Sequence, residues 1–117
     1  MYRRILTGII AQGRTRAFLE ALRESNRYQE ERGLRARTTV WGAMTGRSNS
    51  FLIASDFNTL DELEKFTALS AEDATFARLR SAVSKETVYD ASEVAIHRLS
   101  YHSEGLISSE EATEPRR

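Results

Sequence analysis

No cysteine occurs in the 117 residues of this chain. That excludes disulfides, thiolate metal sites and a cysteine nucleophile, and it fits a reducing compartment. An excess of charge of one sign is missing too, because 17 basic residues balance 17 acidic ones. No global field therefore draws in nucleic acid or anionic lipid. Long hydrophobic runs are also absent. The run from Ile5 to Ala11 follows basic residues, but it is too short to span a bilayer and lacks the cleavage pattern of a signal peptide. The chain has no phosphate-cradling glycine loop, no G-x-S-x-G elbow and no Asp/Glu/His cluster at metal-ligand spacing. No metal and no cofactor is implied. The expectation is a soluble, cytoplasmic protein with a single domain and one core.

What is present reads as alternating elements. Ile5 to Ala11 is β-branched and apolar, and "QGRT" closes it. A helix follows from an N-cap at Thr15 to about Arg32, with Gly33 as its left-handed stop. "ARTTVWGAM" and "FLIASDF" are strands joined by the turn "TGRSNS". Thr59 and Glu62 form a T-x-x-E capping box for a second helical region, whose inward stripe is Leu60, Leu63 and Phe66. That region restarts after a kink capped by Ser70 or Asp73, with Phe76, Leu79 and Val83 inward. A last strand covers "EVAIHRLSYH". The order is βαββαβ, the ferredoxin-like α+β arrangement with a four-stranded antiparallel sheet over residues 1–102. Residues 103–117, rich in Ser and Glu, read as a disordered polar tail.

Two features depart from the simplest version of that fold. The first strand has Ile5, Thr7 and Ile9 on one face and Leu6, Gly8 and Ile10 on the other, so both faces are apolar. A sheet with one wet face alternates apolar and polar residues. The face without helices therefore needs a cover, and a second copy supplies a self-complementary one. An obligate homodimer is expected. The second feature is the helix "FLEALRESNRYQEERG". At about 100° per residue, Phe18, Leu19 and Leu22 share a stripe whose continuation is Ser25, Asn26 and Gln29. These polar groups either leave the core or line a cavity.

The opening strand, "GRTRAFLEAL" leading the helix that ends "ERGLRARTTVW", and the hairpin "GRSNSFLIASDF" before a Leu- and Phe-rich helix resemble the dimeric α+β barrel superfamily. The likeness is to its NIPSNAP-like and antibiotic-biosynthesis-monooxygenase-like branch, over residues 3–102. It implies a homodimeric α+β barrel with a ligand cavity between sheet and helices in each subunit. Haem-degrading relatives use an Asn, a Trp and a His, but Asn26, Trp41 and His97 fall on different elements here, so that chemistry is not carried over. An RNA-binding βαββαβ domain is excluded by the missing aromatic RNP pattern and the neutral charge.

The candidate ligand-binding residues are Ser25, Asn26, Gln29 and Trp41, the last as an aromatic wall for a planar substrate or as a core or interface residue. The candidate catalytic residues are His97, a general base if shielded by Ala95 and Leu99, and Tyr101 as a proton donor. His102 reads as solvated and Tyr28 as a boundary residue. Arg35, Arg37 and Arg47 cluster about the hairpin, as anion binders or as guards of an edge strand, and Asp56 reads as a turn cap. The expected function is small-molecule binding, with a cofactor-independent monooxygenase or isomerase acting on a hydrophobic oxygenated compound as its catalytic form. The alternative is a non-catalytic module whose role is dimerisation.

Overall fold

The computed structural model describes residues 1–88, 91–102 and 105–106. The elements β1 (Tyr2–Ile9), α1 (Thr15–Glu31), β2 (Arg37–Gly42), β3 (Ser50–Phe57), α2 (Leu60–Glu72), α3 (Ala74–Ser84) and β4 (Glu93–Arg98) follow in that order. The four strands form one antiparallel sheet, ordered β2-β3-β1-β4. β3 thus separates β1 from β2, which is the split βαβ of the ferredoxin-like fold.

Local chemistry explains the boundaries. Thr59 Oγ1 accepts a hydrogen bond from the Glu62 N–H at 3.2 Å and caps α2, as its sequence signature predicts. The kink after α2 falls at Asp73, whose carboxylate accepts from the Phe76 N–H at 2.9 Å and starts α3. The Tyr28 hydroxyl donates to the same carboxylate at 2.7 Å. Chiefly through the Phe76 N–H and then Tyr28, these bonds hold the Asp73 carboxyl below the usual carboxylate range. Gly33 stops α1 at φ +77°, where a Cβ would be strained.

Three expectations change. Thr15 is the first helical residue, and Arg14 holds the cap position without a side-chain cap bond. Arg14 instead pairs with Glu86 at 2.7 Å, tying the β1–α1 turn to the segment after α3. Leu60 is exposed, because α2 starts beyond the reach of the core. The last strand breaks after Arg98, and Tyr101–His102 (β5) pairs with Gly105–Leu106 (β6). The expected tail, 103–117, thus includes a short strand, and its remainder lies outside the described residues.

Register assigns the two faces of the sheet. The pairs Tyr2–Phe57, Leu6–Ile53 and Gly8–Phe51 face the helices, while Ile5–Ala54 and Thr7–Leu52 face away. Gly8 is required there, because a Cβ would lie 2.8 Å from the Phe51 ring. The core under the helices divides in two. One cluster holds Tyr2, Leu34, Phe57, Leu63, Phe66 and Phe76. The other holds Ile10, Phe18, Phe51, Ile53 and Val83. Close aromatic pairs bind each cluster, with ring centroids 5.5 Å apart for Phe57–Phe66 and 4.7 Å for Phe18–Phe51.

Candidate functional site

The inner stripe of α1 runs from one cluster to the other. Phe18 and Leu22 pack in the second cluster, and Leu34, just past the helix, packs in the first. Between them Ser25 and Gln29 are buried, 5% and 6% exposed. Neither side chain bonds to another described residue, and neither has a polar atom sealed from open space. They face a cavity.

The cavity, of about 250 Å³, lies between sheet and helices and has two unlike ends. Thr38, Ser55 and Arg4 form a polar row on its floor, because Arg4 and Thr38 both pair with Ser55. Ser25 and Gln29 from α1 and Arg80 from α3 also line it. Leu6, Ile53 and Phe51 from the sheet, with Leu22 and Val83 from the helices, make the more apolar end, where Ser84, Thr87 and Ser92 add hydroxyls to the lining. Val94 lines the cavity yet is 55% exposed, so the cavity opens along β4.

Its electrostatics are one-sided. The Arg4 guanidinium carbon sits 5.1 Å from the Phe66 ring centroid, and that of Arg80 sits 5.0 Å from the same point. Neither has an ion-pair partner among the described residues. Burial, with a smaller contribution from the charge of Arg80, pushes the Arg4 guanidinium down to about 10, which leaves it charged at neutral pH. Burial lowers Arg80 as well. Among the described residues, the lining holds no carboxylate, imidazole, phenol or thiol. The arrangement can bind and orient a ligand through hydroxyls, an amide and positive charge.

Of the residues singled out by sequence, Ser25 and Gln29 line the cavity, while Asn26 is half-buried beside them without lining it. Trp41 lies on the opposite face, paired with Leu52 and 62% exposed, its indole N–H donating to Thr39 Oγ1 at 3.0 Å. His97 is on that outer face too, opposite Arg3 and exposed rather than shielded. Strand parity sends both away from the cavity. Tyr101 belongs to β5, and its side chain, like that of His102, lies outside the described part. Arg35 and Arg37 border a second hollow, of about 570 Å³, with Glu30 and Asp56, and Arg47 is exposed elsewhere. Asp56, expected to cap a turn, pairs with Arg3 through two hydrogen bonds of 2.6 and 2.9 Å. Sequence reasoning missed Arg4, Arg80, Thr38 and Ser55. The available signal was "YRRIL": side chains alternate along a strand, so one arginine of the pair must face the helices.

Solved structures share this architecture. A NIPSNAP domain protein from Burkholderia xenovorans superposes with a TM-score of 0.62 at 15% identity, over 82% of this chain and 91% of its own. A NIPSNAP family protein of unknown function from Agrobacterium tumefaciens gives 0.66 at 16%, over 93% and 92%. A candidate antibiotic biosynthesis monooxygenase from Nitrosomonas europaea gives 0.63 at 19%, over 86% and 100%. No protein-family model matches the chain, and no curated protein matches it in sequence. At these identities the likeness is one of fold: the chain has the ferredoxin-like α+β fold of NIPSNAP and antibiotic-biosynthesis-monooxygenase-like proteins.

Proposed function

We propose that this protein is a small-molecule-binding protein that holds a partly apolar, oxygenated compound in the cavity between sheet and helices. The observation that carries the reading is the divided core. Two apolar clusters flank Ser25, Gln29 and Ser55, all buried and polar, with open space between them. An inert core of this size would close over apolar side chains, because buried polar groups without protein partners cost stability. A ligand or ordered water supplies those partners. Ser25 and Gln29 fix its oxygens, and Leu6, Ile53 and Phe51 receive its apolar body.

The protein acts as a homodimer joined through the outer face of the sheet. Half-buried Ile5 and Leu52 and the exposed Trp41 on the edge strand give that face apolar surface, and a two-fold copy covers it with matching residues. The lack of cysteine fits a cytoplasmic setting. A second reading, catalysis by a cofactor-independent monooxygenase or isomerase, is favoured by the fold shared with a candidate monooxygenase. It requires a proton-moving group beyond those described around the cavity.

Native mass spectrometry of gently purified protein tests the proposal. The expected result is a dimer carrying stoichiometric extra mass, and Gln29→Leu and Ser25→Leu lose that mass while remaining dimeric. A monomer, or a ligand retained equally by both variants, overturns it.

A further inference from the structure

Resting on that reading, we propose that the cavity selects its ligand by a carboxylate, received by Arg4 and Arg80, with an apolar body directed toward Leu6, Phe51 and Ile53. The geometry comes from two distant parts of the chain. β1 brings Arg4 to the cavity floor, α3 brings Arg80 to its wall, and both guanidinium groups pack on Phe66, at 5.1 and 5.0 Å. Attraction to the ring face offsets part of the repulsion between two cations, but it does not neutralise them.

Other cations without an ion-pair partner among the described residues, such as Arg16, Arg23 and Arg37, are exposed, and several exposed cations are paired. Arg3 pairs with Asp56, Arg14 with Glu86, Arg27 with Glu24 and Lys65 with Asp61, although each of these four cations is at least half exposed. The two arginines at the cavity are the more buried ones, and they have no acid among the described residues. Positive charge collected where water is scarce, with hydroxyls at Thr38 and Ser55 nearby, lacks an anion. Burial lowers the pKa of both groups, and the charge of Arg80 adds to the effect at Arg4.

Shape narrows the anion. A guanidinium fork matches the two oxygens of a planar carboxylate. Inorganic phosphate would fill the polar end alone and leave the apolar end without an occupant. An apolar cavity of about 150 Å³ holds a benzene ring, so about 250 Å³ accommodates a ring or short chain with its acid group.

Calorimetric titration of the purified wild-type protein with matched acid and alcohol pairs tests this. The pairs are benzoate against benzyl alcohol, phenylacetate against phenethyl alcohol, and octanoate against octanol. The expected result is that in at least one pair the acid binds about tenfold tighter than its alcohol, a preference that falls as salt rises. Arg80→Gln reduces the preference to below about threefold, and Arg80→Lys, which keeps the charge, retains part of it. An acid and alcohol that bind equally overturn the carboxylate assignment and leave the ligand cavity standing. Failure of every compound to bind overturns both. The wild-type comparison alone decides the matter if a variant fails to fold.

Discussion

Arg3 and Arg4 are neighbours in sequence, yet they live on opposite faces of the sheet under opposite rules. Arg3 lies on the outer face and meets Asp56 in a two-bonded ion pair, whose hydrogen bonds raise its pKa. Arg4 lies under the helices against Phe66, with Arg80 as its nearest charged influence, and burial lowers its pKa. The same contrast extends across the faces. On the outer side, Arg37, Asp56, Arg3 and His97 follow one another across the four strands. On the helix side the adjacent row is Thr38, Ser55, Arg4 and Ile96, which contains a cation and no acid. On the outer face Asp56 meets one of its two neighbouring arginines in an ion pair, whereas under the helices neither Arg4 nor Arg80 has an acid partner among the described residues. The comparison separates the surface proposed for assembly from the cavity proposed for a ligand.

The strongest way to sharpen that contrast is to remove bulk from the covered face. Phe57 is fully buried against Phe66, and Phe57→Ala is expected to cost about 3–5 kcal/mol in urea unfolding. A cost below about 1 kcal/mol would mean that the helices do not seal this face as described.

A finer test uses the two arginines against each other. Arg4→Met removes a desolvated, unpaired charge and is expected to raise stability by about 1 kcal/mol, or a few degrees in melting temperature, while abolishing preference for acids. Arg3→Met leaves the shielded Asp56 without its partner and is expected to lower stability by up to about 1 kcal/mol. Thermal melts of the two variants should therefore move in opposite directions. Movement in the same direction would break the comparison between faces.

The smallest effect on the fold is expected at Trp41. Because it is mostly exposed, Trp41→Ala should change the stability of a single protomer by no more than about 0.5 kcal/mol. Sedimentation at falling concentration should nevertheless show its dimer dissociating before that of the wild type. Unchanged assembly would remove Trp41 from the proposed interface.

Much of the layout was legible in the residues. Thr59 with Glu62, Asp73 and Gly33 marked boundaries through hydrogen bonding and backbone geometry that act within a few residues. Ser25 and Gln29 were legible as a polar interruption in an apolar stripe, and both line the cavity. Trp41 and His97 were harder to place, because a period of two says only that neighbours alternate. Their faces follow from the pairings Trp41–Leu52 and His97–Arg3. Arg80 carried no usable signal. It lies between the inward positions Leu79 and Val83, and only the docking of α3 brings its long side chain back over Phe66 and Phe76.

The sequence by itself determined the order of elements, the alternation that sends Arg3 and Arg4 to opposite sides, and the polar break in α1. Those properties depend on periodicity and short-range bonding. Tertiary structure decided which side the helices cover, that Asp56 neutralises Arg3, and that Arg4 and Arg80 share one aromatic ring without an acid between them. Both faces of β1 are apolar enough to be buried, so hydrophobicity alone does not choose between them. The choice comes from how the strands pair and where the connecting helices pack, and those contacts join residues far apart in the chain.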